Sequence, residues 1–123
     1  MGRILVVEDE EILAENLKTF LGRRSHDVRI AQDGKQAIEM LESFAPDAVV
    51  LDYGLAPMNG LQTYTEILRR HARNIGCVVI TGYPLEMISC HANEQGIRHL
   101  LGKPFGLGEL EHLLERSAED ASR

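Results

Sequence analysis

The sequence predicts an α/β fold, in which a doubly wound parallel sheet carries helices on both faces. Short apolar runs, mostly β-branched, alternate along the chain with amphipathic stretches of helix length. Three of these runs are apolar throughout, which is typical of strands buried on both faces of a parallel sheet. The 123 residues fit one compact domain with a single hydrophobic core.

Five strands are predicted, and each is short. The first, third and fourth are the continuous apolar runs, whereas the second alternates in polarity and is expected nearer a sheet edge. In chain order, the predicted strands cover residues 4–7, 26–31, 48–51, 77–80 and 97–101.

A predicted helix follows each strand. The first covers residues 10–23, with a buried face built from Ile12, Leu13, Leu17, Phe20 and Leu21. The second begins at Asp33-Gly34 and the segment ends at Pro46, with Asp33 as N-cap and Gln36 at capping-box spacing. The remaining three cover 61–72, 84–95 and 107–117.

The hydrophobic pattern ends at Ser117, and this sets the expected boundary of the domain. No apolar side chain larger than alanine follows Ser117. We therefore expect residues 1–117 to form the domain and 118–123 to form a disordered tail.

Five alternating units, right-handed crossovers and short connections favour the flavodoxin-like strand order 2-1-3-4-5. In such sheets function lies at the carboxyl ends of the strands, beside the switch point between strands one and three. Glu8 and Asp9 follow strand one, Asp52 follows strand three, Thr81 follows strand four, and strand five leads to Lys103. The topology thus brings three carboxylates, a hydroxyl and an ammonium to one rim.

Clustered carboxylates at this rim predict a cation site. Two carboxylates about 5 Å apart repel by roughly 3 kcal/mol at an effective dielectric near 20. An all-oxygen site with few protein ligands suits Mg²⁺, and Mn²⁺ is a possible substitute. Beside such a metal, a carboxylate can attack phosphorus, while Lys103 and Thr81 could meet the charge of the transferred phosphoryl group.

Composition excludes several classes of function. The 13 basic and 19 acidic side chains give a net charge of −6, and residues 8–11 are all acidic, so direct binding to nucleic acid is not expected. Cys77 and Cys90 have no CxxC or disulfide-framework spacing, and no apolar run is long enough to cross a membrane. With no signal-peptide pattern at the start, we expect a cytoplasmic protein without a membrane partner.

Taken together, these residues resemble the receiver domains of bacterial response regulators over roughly residues 3–116. The motifs are Glu8-Asp9, the run Val49-Val50-Leu51-Asp52, Met58-Asn59-Gly60, Thr81, and Lys103-Pro104-Phe105. Each motif is weak alone, but five in the right order at the right intervals are specific.

The resemblance implies a role for each rim residue. Asp52 would be the phosphoacceptor, and Thr81 and Lys103 would contact the phosphoryl group. Asp9 would bind Mg²⁺ directly, Glu8 mainly through metal-bound water, and Gly54 through its backbone carbonyl. The Lys103-Pro104 peptide bond would be cis.

The same resemblance implies partners and a mode of action. The phosphoryl donor would be a sensor histidine kinase or a histidine phosphotransfer protein, and the output would pass to a downstream protein that the sequence does not name. The domain would assist its own phosphorylation and slow dephosphorylation, yet would act as a signalling protein rather than a turnover enzyme.

Three positions depart from the family pattern. Ala56, followed by Pro57, stands where the family usually has proline. Leu100 stands where an aromatic side chain commonly moves inward on activation. Gly82-Tyr83-Pro84 is a stiff entry to the fourth helix, and Tyr83 is a candidate substitute for the missing aromatic.

Other interpretations of the same residues stay open. Asp9 and Thr81 could be capping or turn residues, and Lys103 a solvated surface lysine. The alternative function is a pseudo-receiver, a protein-interaction module that is not phosphorylated. A phosphohydrolase of the haloacid-dehalogenase type is disfavoured, because Gly54 stands where that family needs a second aspartate. A dinucleotide binder is disfavoured by the acidic residues 8–11.

Overall fold

The computed structural model describes residues 2–70 and 74–121 and contains five strands and five helices within them. The strands are β1 (Arg3–Val7), β2 (Asp27–Ala31), β3 (Ala48–Asp52), β4 (Gly76–Thr81) and β5 (Leu100–Gly102). The helices are α1 (Glu11–Arg23), α2 (Gly34–Met40), α3 (Gly60–Arg70), α4 (Leu85–Glu94) and α5 (Leu107–Ala121).

All strand pairs are parallel, and the sheet order is β2-β1-β3-β4-β5, so the predicted flavodoxin-like topology is confirmed. The central strands β3 and β4 are buried along their whole length, as their uninterrupted apolar runs predict. In the edge strand β2, Asp27 and Arg29 are exposed, Ile30 is half-buried, and Val28 and Ala31 are buried.

The core consists of two apolar layers, one on each face of the sheet. Successive strand residues point to opposite faces, so Val49 and Leu51 lie in one layer, whereas Val50 lies in the other. Helices α2, α3 and α4 cover the first layer, and α1 and α5 cover the second; α5, for example, contributes Leu110 and Leu114. Every strand is thereby fixed in register by side chains on both faces.

The start of α2 agrees with the predicted cap. The Gln36 N–H donates to Asp33 Oδ1 at 2.8 Å, which satisfies one of the free donors of the first turn. The Gln36 side chain reaches back as a capping box requires, but it accepts from the Gln32 N–H at 2.6 Å, one residue before the cap.

Two predictions from the helical patterns are wrong. The spacing predicts Ile12 on the buried face of α1, but Ile12 is 79% exposed, because the face that packs on the sheet carries Ala14, Leu17 and Leu21. The predicted disordered tail is helical as far as Ala121, while Ser122 and Arg123 lie outside the described residues. The third helix was predicted to reach residue 72, and residues 71–73 also lie outside the described part.

The extension of α5 follows from its contact with β4. Ser117 is buried, and its hydroxyl donates to the Leu114 carbonyl at 2.9 Å. A Cβ on Gly76 would lie 2.7 Å from Ser117 Oγ and 2.8 Å from the Ala118 nitrogen. Small residues on both elements therefore let the helix backbone approach the strand, a contact that hydrophobicity patterns do not reveal.

No helix within residues 2–70 and 74–121 combines the length and the apolar character needed to span a bilayer.

Two glycine-to-alanine substitutions test this packing. We expect Gly76→Ala to destabilise the fold by about 1–3 kcal/mol, because its Cβ would overlap the backbone of α5. Gly22→Ala, in α1 with no atom within 4 Å of the added Cβ, should stabilise the fold by up to about 1 kcal/mol through helix propensity. Urea unfolding of both variants measures the difference. Equal stability of the two variants would contradict the close approach of α5 to β4.

Candidate functional site

The sheet brings the predicted rim residues together at its carboxyl end. In the strand register Val7 is paired with Leu51, so the segments that follow β1 and β3 leave the sheet side by side. Asp52 is paired with Ile80, and Thr81 with Gly102. The residues after β1, β3, β4 and β5 therefore share one edge of the molecule.

Three carboxylates form a cluster at this edge. One oxygen from each of Glu8, Asp9 and Asp52 lies within 4.8 Å of the others. Glu8 is 1% exposed and Asp52 is 6% exposed, whereas Asp9 is exposed. Two of the three acids are thus largely removed from water, where the repulsion between their charges is weakly screened.

Lys103 faces the cluster from the loop between β5 and α5. Its Nζ lies 3.2 Å from Glu8 Oε1 and 3.5 Å from Asp52 Oδ2. It also donates a hydrogen bond to Glu10 Oε2 at 2.7 Å. Burial acts to lower the pKa of Lys103, but the hydrogen bond to Glu10 and the charges of Asp52 and Glu8 outweigh it and raise the pKa to about 12. Lys103 is therefore a permanent cation at this site.

Burial disfavours the ionised form of Glu8. Burial, together with the charge of Asp52, raises its pKa from 4.5 to about 7, despite the Glu10 N–H that donates to its Oε2 at 3.0 Å and the nearby Lys103. Its other oxygen, Oε1, accepts no hydrogen bond from the described residues. Its ionic partner among the described residues is Lys103 at 3.2 Å, an ammonium that Asp52 and Glu10 share.

The donor set fits a divalent cation. The three carboxylates and one ammonium leave two negative charges uncompensated when all groups are ionised. The available ligand atoms are carboxylate oxygens, which Mg²⁺ and Mn²⁺ accept. Asp9 on the solvent side leaves room for metal-bound water.

Asp9 does not cap α1. The N-cap residue is Glu10, and no side chain caps this helix end. The interpretation of Asp9 as a capping residue is therefore wrong, and its carboxylate is left to face the cluster.

Thr81 is fully buried at the end of β4, and it is tied to both neighbouring loops. Its carbonyl accepts from the Lys103 N–H at 2.7 Å, and its hydroxyl accepts from the Tyr83 N–H at 2.9 Å. Tyr83 in turn packs edge-on against Tyr53, with ring centroids 5.6 Å apart. Tyr83 therefore links Thr81 to Tyr53, the residue that follows Asp52.

Backbone N–H groups of the loop after β3 fix the position of Asp52. The Gly54 N–H donates to Asp52 Oδ1 at 3.2 Å, and the Tyr53 N–H donates to the Ile80 carbonyl at 2.8 Å. A Cβ on Gly60 would lie 2.7 Å from the Asp52 carbonyl oxygen, so only glycine allows α3 to begin this close to the site.

Asn59 fixes the start of α3 through a reciprocal pair of hydrogen bonds. The Gln62 N–H donates to Asn59 Oδ1 at 2.9 Å, and the Asn59 N–H donates to Gln62 Oε1 at 3.0 Å. Asn59 is thus a helix cap. The Lys103-Pro104 bond is cis as predicted, and the Ala56-Pro57 bond, in the loop that departs from the family pattern, is also cis.

Every predicted rim residue lies at this edge, but two neighbours were missed. Glu10 makes the shortest contact of Lys103, although the sequence shows it only as part of an acidic run. No motif in the sequence singles out Tyr53. The spacing of 93 residues between Glu10 and Lys103 carries no periodic signal, so only the tertiary fold reveals that pair.

Comparison with known proteins agrees with this architecture. The response regulator receiver domain family matches residues 4–115, and the chain belongs to that family. The chain is 34% identical over 122 residues to the response regulator MprA of Mycolicibacterium vanbaalenii, covering 96% of this chain and 52% of the relative. The chain thus spans about half the length of that curated relative.

Solved structures show the same fold. The non-phosphorylated HemR receiver domain from Leptospira biflexa is 30% identical, with a TM-score of 0.84, and covers 96% of this chain and 94% of its own. A CheY-like receiver domain protein from Methanospirillum hungatei is 19% identical, with a TM-score of 0.88 over 99% of this chain and 97% of its own. The latter likeness concerns the fold alone.

The cost of the buried Glu8 charge is testable. Because the pKa of Glu8 is higher in the fold than its ordinary 4.5, the ionised form destabilises the fold above about pH 7, and this cost is absent below pH 4.5. We expect Glu8→Gln to raise the free energy of unfolding by about 1–2 kcal/mol at about pH 8 in a chelator. The control is Glu11→Gln, which removes an exposed negative charge from the first turn of α1.

Urea unfolding at that pH checks the expectation. A Glu8→Gln variant less stable than the unchanged protein would mean that the Lys103 contact outweighs burial.

Proposed function

We propose that this chain is a phosphorylation switch whose Asp52 accepts a phosphoryl group from a phosphohistidine on a sensor histidine kinase or a histidine phosphotransfer protein. One observation carries the proposal: Asp52 is buried between an acidic cluster and a permanent cation, within 3.5 Å of Lys103 Nζ. A structural aspartate at a strand end has no need for either neighbour. As a receiver without a membrane partner or direct nucleic-acid contact, it would act in the cytoplasm.

The metal site of the proposal comprises Glu8, Asp9 and Asp52, with the Gly54 carbonyl as a backbone ligand. A bound Mg²⁺, or Mn²⁺ in its place, would neutralise the cluster and the oxygens of the incoming phosphoryl group. Support comes from Glu8 Oε1, which shares its one ionic partner, Lys103, with Asp52 and Glu10, and from the Gly54 N–H, which donates to Asp52 Oδ1.

The transfer itself is a displacement at phosphorus. A carboxylate oxygen of Asp52 forms the new O–P bond while the N–P bond of the donor histidine breaks, and the imidazole leaves with the bonding electrons and takes up a proton. Lys103 would neutralise a phosphoryl oxygen, and the Thr81 hydroxyl would donate to another. Water attacking the same phosphorus would reverse the switch slowly, without making the domain a turnover enzyme.

The readout is proposed to run through Tyr83 rather than through Leu100. The Tyr83 N–H donates to Thr81 Oγ1, so a Thr81 hydroxyl drawn toward a phosphoryl group would disturb Tyr83. Tyr83 is 53% exposed and contacts Tyr53, so its ring can move at the surface without breaking the core. The downstream protein would read the surface that α4, β5 and α5 form.

Phosphorylation is tested directly by mass. We expect the protein incubated with Mg²⁺ and a small phosphodonor to gain one phosphoryl group, and the gain to vanish in Asp52→Asn or with a chelator. Asp27→Asn, an exposed aspartate on β2, is the matched control and should be modified normally. A protein that folds but never gains mass would instead support the pseudo-receiver.

Tyr83 is tested by separating modification from readout. We expect Tyr83→Leu to be phosphorylated at a rate within about twofold of the unchanged protein, since the ring does not contact the cluster. The amide shifts that a beryllofluoride mimic causes along α4 should shrink several-fold, because the variant keeps the backbone hydrogen bond to Thr81 but loses the ring that would carry the movement to the surface.

Met87→Leu, which changes an exposed apolar residue of α4 itself, is the control and should keep the full shifts. Unchanged shifts in Tyr83→Leu would assign the readout to another path.

A further inference from the structure

The Lys103 ammonium already has three carboxylate partners. Its Nζ lies 2.7 Å from Glu10, 3.2 Å from Glu8 and 3.5 Å from Asp52. Among the described residues, only the Glu10 carboxylate accepts a hydrogen bond from this ammonium, so an incoming phosphoryl oxygen competes with Glu10 for Lys103. The shortest contact is with Glu10, and Asp52 is the most distant partner.

Glu10 is held in place to make this contact. Its backbone N–H donates to Glu8 Oε2 at 3.0 Å, and its carbonyl accepts from the Ala14 N–H at 3.0 Å as the first hydrogen bond of α1. Its side chain makes no capping contact, so the carboxylate is free to reach across to the loop after β5. The backbone thus aims Glu10 at Lys103.

Lys103 can release Glu10 at lower cost than Glu8. Its side chain is 63% exposed, so water solvates the carboxylate once the contact breaks. Release of Glu8, which is buried, would leave its charge without its protein cation. An incoming phosphoryl group would therefore displace Glu10.

We propose that Glu10 is a positioning residue that engages Lys103 in the unphosphorylated state and slows phosphorylation of Asp52 by competing with the phosphoryl group for that ammonium. The inference rests on the proposed function, because it concerns the rate of the same transfer. Glu10 touches neither Asp52 nor the phosphoryl group in this scheme and acts through Lys103 alone.

The experiment compares Glu10→Gln and Glu10→Ala with Glu11→Gln. All three remove one negative charge from the start of α1, but no contact joins Glu11 to Lys103 among the described residues. The rate of mass gain is measured with a small phosphodonor and Mg²⁺ at low salt and at about 1 M salt. The urea unfolding midpoint of each variant shows whether the fold is intact.

We expect both Glu10 variants to be phosphorylated about two- to fivefold faster than the unchanged protein, the range that release of an exposed ion pair provides. At about 1 M salt the gain should shrink but not vanish, because the 2.7 Å contact lies just within the screening length of about 3 Å. Any gain in Glu11→Gln would be a long-range charge effect and should disappear at that salt concentration.

The outcomes separate the two proposals. A Glu10 variant phosphorylated at the unchanged rate or more slowly would overturn the competition, and so would a gain that Glu11→Gln matches at high salt. If the unchanged protein itself gained no mass with Mg²⁺, the proposed function would fail first, and the mass spectrum of that sample alone would show it.

Discussion

Uncompensated negative charge at the carboxyl end of the sheet governs the design of this domain. Two of the three clustered carboxylates are withdrawn from water, and Lys103 neutralises only one charge. The pKa of Glu8 is raised, mainly by burial and also by the negative charge of Asp52. An arrangement of this kind sacrifices stability for a cluster of carboxylate oxygens at one site, a compromise that is common where proteins bind ligands.

The rest of the fold keeps this unfavourable cluster in place. The sheet is buried on both faces, so the strand ends that carry the acids cannot slip in register. Behind Asp52, backbone hydrogen bonds from Tyr53 and Gly54 and the close approach of Gly60 leave the aspartate little freedom. Precision at the rim therefore comes from backbone contacts rather than from the acidic side chains themselves.

The loops around the cluster differ in how firmly they are held, and that difference suits a switch. Thr81 is buried, while its partner Tyr83 is half exposed and packs against a single ring. Lys103 divides its contacts between buried acids and the exposed Glu10. Elements with weak, exposed partners can rearrange at small cost in free energy, whereas the buried acids stay fixed.

Hydrophobic pattern and topology rules were sufficient to predict the sheet order and the meeting of Glu8, Asp9, Asp52, Thr81 and Lys103, because strand ends in a parallel sheet converge whatever their separation in sequence. The sequence by itself thus determined the fold class and the chemical character of the rim. Tertiary structure alone decided that α5 continues beyond Ser117, that Ile12 faces solvent, and that Glu10 reaches Lys103. Those outcomes depend on distances between elements remote in sequence, and local periodicity contains no information about such distances.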